Sequence, residues 1–137
     1  MRILVDTSVW SLALRRSSGI ANEEAIALKT IIEQGEEIFL LGIILQKVLQ
    51  GIRNPKDFLA LKDYFKGFPL IDLAREDYVR AAELKNQLIR KGRQASTIDV
   101  LIASAAISHH CHLFAADKHF TQISEHSELK LFAFRHP

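Results

Sequence analysis

The sequence predicts an α/β domain with a mostly parallel central sheet, and three observations support this. Short apolar runs typical of buried strands alternate along the chain with longer segments of helical periodicity. The runs at residues 2–5 and 113–116 are each followed directly by an aspartate. One helical segment, residues 97–107, is apolar almost all the way round and therefore belongs in the interior of the domain.

The predicted elements follow one another in a regular order. The predicted strands are residues 2–5, 38–41, 69–73, 113–116 and 129–134. The predicted helices are residues 9–16, 23–34, 43–52, 56–66, 75–91 and 97–107, with a short helical turn after Asp117. Thr7 or Ser8 is expected to cap the first helix. The other boundaries are marked by residues that cap or stop helices, namely Asn22, Gly35, Asn54, Gly67 and Gly92.

Three of these helices carry an apolar stripe that predicts which face is buried. The stripes are Ala25, Leu28 and Ile32 in the second helix, Ile44, Val48 and Ile52 in the third, and Ala81, Leu84 and Leu88 in the fifth. Helices with one apolar face cover the faces of a sheet, as an α/β fold requires.

Length and composition bound the class of protein. A chain of 137 residues, 48% apolar and 25% charged, is a globular domain of ordinary size, so we predict a single domain over residues 1–137. The net charge of +2 is too small to indicate nucleic acid by itself. Cys111 is the only cysteine, which excludes an internal disulfide and fits a reducing compartment. We see no signal-peptide core and no membrane-spanning run, so we expect a cytoplasmic protein.

Three aspartates form a candidate metal site. Asp6 and Asp117 each follow a predicted strand, and ligands of parallel sheets bind beyond the carboxyl ends of the strands. Asp99 lies in the first turn of the apolar helix. Each also has a plain structural explanation, since Asp6 or Asp117 could form a cap or turn and Asp99 could complete a capping box with Ser96. Three convergent carboxylates would suit Mg²⁺ or Mn²⁺ rather than zinc.

Other chemistries find less support in the sequence. His109, His110 and His112 surround Cys111, but without the spacing of a zinc site. The chain has no glycine-rich phosphate loop and no nucleophile elbow. A phosphatase nucleophile at Asp6 would require a second acid two residues on, where this chain has Ser8.

Four segments carry a family resemblance when they are taken together. They are residues 4–10 (LVDTSVW), 45–51 (LQKVLQG), 98–103 (IDVLIA) and 116–120 (ADKHF). In order and spacing they resemble the successive motifs of PIN-domain ribonucleases, and more narrowly those of the VapC-type toxins of bacterial toxin–antitoxin pairs. The resemblance extends from Ile3 to about Phe134, nearly the whole chain.

The resemblance implies a three-layer α/β/α fold and a Mg²⁺- or Mn²⁺-dependent endoribonuclease with about four acids in its site. By the same resemblance, Asp6, Asp99 and Asp117 correspond to metal-binding acids, and Thr7 or Ser8 to a hydroxyl that helps place metal-bound water. It further implies an RNA substrate, a cognate antitoxin that enters the acidic groove, and a homodimer.

Lys47 departs from the family pattern, because the family carries its second acid there. The plain alternative is an ordinary solvated lysine. We expect the Lys47 ammonium to lie among the three aspartates, where a divalent cation would otherwise bind. The two would repel by roughly 8 kcal/mol at a separation of about 4 Å and an effective dielectric constant of 20. Two interpretations stay open: an impaired enzyme, or an inactive PIN fold that binds an antitoxin or RNA. His119 is a milder departure, since the family often has an acid there.

Basic residues flank the candidate site in the sequence. Arg90, Lys91 and Arg93 precede the helix of Asp99, and Arg53 follows the helix of Lys47. Such residues could hold RNA phosphates beside the acids, with Arg53 and Arg93 as the substrate-binding candidates. Cations at a helix C-terminus explain Arg90 and Lys91 equally well.

Overall fold

The computed structural model describes residues 1–14 and 22–134, and its elements follow the predicted order. The strands are β1 (Arg2–Val5), β2 (Glu37–Phe39) and β3 (His112–Phe114). The helices are α1 (Thr7–Ala13), α2 (Glu23–Glu33), α3 (Gly42–Gln50), α4 (Pro55–Phe65), α5 (Arg75–Arg90), α6 (Thr97–Ser108) and α7 (His119–Glu125). None of the helices within these residues has both the length and the hydropathy that crossing a bilayer requires.

The strands form a parallel sheet in the order β2-β1-β3. Ile3 in the central strand pairs with Ile38 on one side and with His112 on the other. Ile3, Leu4 and Val5 are completely buried. Because β1 is covered on both faces, its sequence is a continuous apolar run and does not alternate with polar residues.

Helices cover this sheet in two groups. In the first, α1 contacts α2 and α3, and α3 contacts α4. In the second, α6 contacts α5, α7 and β3. The result is the three-layer α/β/α architecture, so the predicted fold class is confirmed. A single cluster of buried apolar side chains, from Ile3 to Leu129 in the sequence, joins the layers.

Helix α6 is the buried centre of the second group, as predicted. Its buried residues are Val100, Ile102, Ala103, Ser104, Ala105 and Ala106. The first turn differs, because Ile98 is 37% exposed and Asp99 is half-buried. The helix therefore begins at the surface and runs into the core, which brings its first carboxylate to the rim of the domain.

The predicted stripe is accurate in α5 and only partly accurate in α2. In α5, the predicted residues Ala81, Leu84 and Leu88 are all buried. In α2, Leu28 is buried together with Ile31, which the prediction missed, while Ala25 and Ile32 are half-buried. A helix that rests on a single neighbour buries a narrow stripe, and its exact angle depends on that neighbour rather than on the helix's own sequence.

Two predicted strands are reduced to single bridges. Residues 69–73 form only the Leu70–Leu40 bridge, and residues 129–134 only the Leu131–Leu113 bridge. Both segments lie at an edge of the sheet and pair on one side. Pro69 has no N–H to donate, which limits the ladder at the first edge. The sequence pattern identified extended segments correctly but overestimated their pairing.

The start of α1 also differs from the prediction. The helix begins at Thr7 rather than Val9, and Asp6, not Thr7 or Ser8, is its N-cap. Asp6 Oδ2 accepts a hydrogen bond of 3.1 Å from the Ser8 backbone N–H. Aspartate is among the best N-cap residues, so the cap moves to the last residue before the helix. The predicted end at residue 16 lies outside the described residues.

A buried carboxylate joins the start of α5 to the end of α6. Asp77 is 5% exposed, and its Oδ1 lies 2.9 Å from His109 Nε2. Asp77 Oδ2 accepts a hydrogen bond of 2.8 Å from the Ala74 N–H. Burial alone would raise the pKa of Asp77, but the bonds from Ala74 and His109 outweigh it, and the pKa lies below its ordinary value.

We predict that Asp77→Asn destabilises the protein by about 2 kcal/mol at pH 7, because a charged acceptor with two donors is lost. The folded-state pKa of Asp77 is lowered, so its stabilisation is present above the ordinary aspartate pKa and is lost as the pH falls through the folded-state value. Urea unfolding at pH 7 and at pH 3 should therefore show a difference that shrinks with acidity. Asp63→Asn, at an exposed position on α4, is the control. An equal deficit at both pH values would contradict this assignment.

Candidate active site

Asp6 lies at the carboxyl end of the central strand and is only 5% exposed. Its backbone N–H donates a 2.9 Å hydrogen bond to Phe114 O, so Asp6 stands beside the end of β3. Its Oδ2 accepts from both the N–H and the hydroxyl of Ser8, at 3.1 and 2.6 Å. Oδ1 has no hydrogen-bond partner among the described residues, so one oxygen of this fixed carboxylate remains open to a ligand.

The Ser8 hydroxyl links two parts of the site. It donates to Asp6 Oδ2 and accepts a 3.0 Å hydrogen bond from the Ala116 N–H, in the loop after β3. Both of its hydrogen-bonding roles are therefore occupied. Thr7 Oγ1 is buried and has no partner within the described part of the chain. Of the two hydroxyls expected to place water, only that of Thr7 is uncommitted.

The loop after β3 brings Asp117 towards the start of α6. Asp117 Oδ1 accepts from the backbone N–H of His119 at 2.9 Å and lies 3.1 Å from His119 Nδ1. The same Nδ1 lies 3.9 Å from Asp99 Oδ2. The His119 side chain is 77% exposed, against 18% for Asp99, so the imidazole spans the two carboxylates at the surface.

Asp99 is held by the N-cap of α6. Ser96 Oγ accepts a 3.0 Å hydrogen bond from the Asp99 N–H, which is one half of the capping box considered from sequence. Burial raises the pKa of Asp99, and the charges of Asp117 and Asp6 raise it further. The Ser96 hydroxyl and His119 lower the pKa but do not cancel this rise. Charge repulsion among the three carboxylates is thus felt at Asp99, which places all three in one electrostatic neighbourhood.

With this geometry established, comparison with known proteins decides the family. The PIN domain family matches residues 3–126, most of the chain. The chain belongs to the PIN domain family. No curated protein sequence matches it.

Solved structures share the fold of this PIN domain at low sequence identity. VapBC2 from Rickettsia felis, bound to a promoter DNA fragment, is 19% identical with a TM-score of 0.78, covering 98% of this chain and 100% of that one. VapBC-1 from nontypeable Haemophilus influenzae is 17% identical with a TM-score of 0.74, covering 96% and 97%. VapC20 from Mycobacterium tuberculosis, described as a sarcin–ricin loop cleaving toxin, is 16% identical with a TM-score of 0.64, covering 93% and 98%. At these identities the similarity establishes the fold.

The residues of the PIN domain site fit a divalent cation in charge and in donor type. Asp6, Asp99 and Asp117 supply carboxylate oxygens, the ligands that Mg²⁺ and Mn²⁺ prefer. Burial and the negative charges of Asp117 and Asp6 raise the pKa of Asp99, so a positive charge beside it would be favourable. In the described residues, however, no three His, Cys, Asp or Glu side chains already stand as a metal cage. The fit therefore rests on chemistry rather than on a preformed set of ligands.

Lys47 does not take the place that we expected for it. It is half-buried on α3, directly before the buried Val48. Across residues 1–14 and 22–134, no carboxylate oxygen lies within 4.0 Å of the Lys47 ammonium, so the expected ion pair with the aspartates is not formed. A long lysine stem can remain packed while its ammonium stays in water. It is His119 that lies between two of the acids, a contact that the sequence did not reveal.

The two candidate arginines lie in loops at the surface. Arg53 is exposed between α3 and α4, and Arg93 is exposed between α5 and α6. Neither guanidinium is paired with a carboxylate of the described residues. Arg93 is close in sequence to the start of α6, whereas nothing in the contacts brings Arg53 to the acids.

We predict that Asp99→Asn stabilises the protein in chelator-treated buffer at pH 7, raising Tm by a few degrees. Because the folded-state pKa of Asp99 is raised, its ionisation costs stability as the pH rises through that value, and asparagine removes this cost. The gain should vanish below the ordinary aspartate pKa, where both forms are neutral. Differential scanning calorimetry across pH measures it, with Asp72→Asn at an exposed site as the control. A lower Tm for Asp99→Asn at pH 7 would show that the favourable interaction of the carboxylate with the N-terminus of α6 outweighs the repulsion.

Proposed function

We propose that this PIN domain is a VapC-type toxin, a Mg²⁺- or Mn²⁺-dependent endoribonuclease that a cognate antitoxin holds inactive. The observation that carries the proposal is the effect of the Asp117 and Asp6 charges on Asp99, whose pKa burial and these two charges raise, at the carboxyl edge of the sheet. The resemblance of the four sequence motifs supports it, and so does the fold shared with VapBC complexes and with a toxin described as cleaving the sarcin–ricin loop.

In this proposal Asp6, Asp99 and Asp117 hold the cation. When bound, a divalent cation would lower the pKa of a nearby water molecule and offset the negative charge of the phosphate. The two hydrogen bonds from Ser8 fix the orientation of the Asp6 carboxylate. Its Oδ1, which has no partner in the described residues, is therefore already oriented before a cation binds. The resemblance assigns a water-placing hydroxyl to Thr7 or Ser8; of the two, the Thr7 hydroxyl is buried and has no partner in the described residues.

The reaction is the hydrolysis of a phosphodiester. The oxygen of a water bonds to phosphorus, and the bond between phosphorus and one ribose oxygen breaks. The attacking water gives up its proton to solvent, because in this proposal the three carboxylates are committed to the cation. The departing ribose oxygen takes a proton from solvent, which completes the balance.

Lys47 lowers this activity. It occupies the position at which the resemblance places a fourth acid, so the site lacks one negative charge and has a cation nearby. No ion pair joins Lys47 to a carboxylate of the described residues, so the effect proposed for Lys47 is a repulsion of the cation at longer range rather than a blocked site. The alternative, an inactive PIN fold that binds an antitoxin or RNA, is separated from an impaired enzyme by the experiment below.

The partners in this proposal follow from the acidic site. A cognate antitoxin is expected to place a basic side chain near the three carboxylates, because they attract positive charge. A homodimer and a cytoplasmic location, where RNA is available, complete the proposal; both derive from the family resemblance and from the character of the substrate.

We predict that Lys47→Glu increases Mg²⁺- or Mn²⁺-dependent cleavage of RNA at least tenfold over the lysine form. The exchange replaces a repulsive charge with a ligand-type carboxylate, and each tenfold change corresponds to about 1.4 kcal/mol. Both proteins should be assayed on one RNA with and without the metal, and Mn²⁺ affinity should be measured by calorimetry. Asp99→Asn in the Lys47→Glu background is the control, and it should lose both cleavage and metal affinity. If the lysine form already cleaves as fast, Lys47 does not impair the enzyme.

We predict that replacing Asp6, Asp99 and Asp117 together by asparagine weakens binding of the cognate antitoxin. Asparagine keeps the shape and the capping ability of aspartate, so the helices stay intact while the attractive charge is removed. Calorimetry should show a dissociation constant at least tenfold higher, with a smaller dependence on salt than for the wild-type chain. Undiminished affinity would mean that charge at these acids does not seat the antitoxin.

A further inference from the structure

A cleft of about 460 Å³ lies at the loop between α5 and α6. It is lined by Lys85, Ile89, Gly92, Arg93, Gln94 and Ala95. Residues 91–96 form this loop, and they connect the end of α5 directly to Ser96, the N-cap of α6.

The wall of the cleft has a fixed shape. Gly92 adopts a φ of +72°, which favours glycine, and it ends α5. The Gly92 N–H donates to Ile89 O at 2.9 Å, and the Arg93 N–H donates to Leu88 O at 2.8 Å. This pair of hydrogen bonds is a Schellman motif. The bonds hold the backbone on which Arg93 is mounted, so a ligand need not order the loop.

Positive charge in the cleft is not balanced by any nearby acid. Lys85 is half-buried, and its Nζ donates a 2.8 Å hydrogen bond to Ala95 O, which leaves two further N–H donors. Arg93 is exposed. Throughout the described ranges, no carboxylate oxygen lies within 4.0 Å of either cation.

The loop that lines the cleft contacts two helices that also carry residues of the acidic site, α6 and α7. Ala95, whose carbonyl holds Lys85, lies four residues before Asp99. On the other side, Gln122 Nε2 in α7 donates a 3.0 Å hydrogen bond to Gln94 O. Helix α7 begins at His119, which contacts both Asp99 and Asp117. The loop that lines the cleft is therefore tied both to the helix that presents Asp99 and to the helix that begins at His119.

We propose that this cleft binds phosphate groups of single-stranded RNA next to the scissile bond, with Lys85 and Arg93 as the binding cations. This inference rests on the proposed function and assigns Lys85 to its substrate. Lys85 contributes a fixed point charge, and the Arg93 guanidinium contributes a planar set of donors that matches two phosphate oxygens. The three carboxylates alone would repel a polyanion such as RNA. The two cations of the cleft offset that repulsion, so acids and cations together suit a polyanionic ligand.

The test measures RNA binding without cleavage. Asp99→Asn protein in chelator is titrated into a labelled single-stranded RNA, and fluorescence anisotropy gives Kd over a series of salt concentrations. The double variant Lys85→Gln/Arg93→Gln is compared with Lys56→Gln/Lys62→Gln, which removes equal charge from exposed positions on α4. We expect a Kd at least tenfold higher for the cleft variant, and a salt slope smaller by about 1.4, since each lost phosphate contact on a single strand contributes about 0.7.

Two further variants guard against a structural effect of Lys85. Lys85→Arg keeps the positive charge, so its RNA affinity should be close to that of the parent protein. If Lys85→Gln does not fold, the single variant Arg93→Gln, at an exposed position, tests the proposal by itself. Equal losses in the cleft and control double variants would overturn the proposal, as would a parent protein that does not bind RNA at low salt. Weaker antitoxin binding with unchanged RNA binding would assign the cleft to an acidic peptide and also overturn it.

The outcome is separable from that of the proposed function. If Lys47→Glu cleaves RNA with metal while the cleft variants bind normally, the nuclease proposal stands and the cleft proposal fails. If no form of the protein cleaves but the cleft variants lose RNA, the chain is an RNA-binding PIN fold and the cleft proposal stands.

Discussion

The hydroxyl of Ser8 holds together the two strand ends on which the site depends. Through one oxygen atom it donates to Asp6 at the end of β1 and accepts from Ala116 in the loop after β3. The Asp6 N–H adds a second tie to Phe114 O. Because β1 is the buried central strand, Asp6 is anchored to the core, and the loop that carries Asp117 is fixed relative to it. The geometry of the acids is thus inherited from the packing of the sheet.

That arrangement carries an electrostatic cost. Burial and the charges of Asp6 and Asp117 raise the pKa of Asp99, so the folded protein is less stable at neutral pH than it would be without this carboxylate. His119 offsets part of the repulsion through its contact with Asp117 and its proximity to Asp99. Proteins keep such unfavourable clusters where function needs them. The cluster is therefore stronger evidence for a cation site than an equal number of scattered surface acids.

Most of the fold could be predicted from the sequence because its signals are local. The apolar run before Asp6, the all-round apolar α6 and the glycines that follow α2 and α5 each specify an element without reference to its neighbours. The edge segments at Leu70 and Leu131 were overestimated, because the number of ladder bonds depends on the partner strand. The cap of α1 is Asp6, one or two residues before Thr7 and Ser8, and the cap considered for Asp6 from sequence is therefore present at a residue that also belongs to the candidate site.

The site was harder to predict than the fold, because its contacts depend on side-chain direction. Sequence spacing singled out Asp6, Asp99 and Asp117, and the structure couples their charges. The sequence did not show that the Ser8 hydroxyl both donates and accepts a hydrogen bond while the Thr7 hydroxyl has no partner in the described residues. Both hydroxyls follow the same strand, so sequence position does not distinguish them. Nor did it place Lys47, whose long stem allows several positions for the ammonium. The aspartate two residues before His119 was the one local signal for their contact, because aspartate side chains commonly bond to the backbone two residues on.

Charge in this domain is organised locally, which the small net charge conceals. The net charge is only +2, yet the carboxyl edge of the sheet is acidic and the adjoining loop between α5 and α6 carries cations without acidic partners. An enzyme that hydrolyses a polyanion through a bound cation needs both signs side by side, because the acids that retain the cation would otherwise repel the substrate. Helix α6 meets this requirement in one element: its buried body fixes its position in the core, its first turn presents Asp99, and the loop that enters it presents Arg93 and receives Lys85.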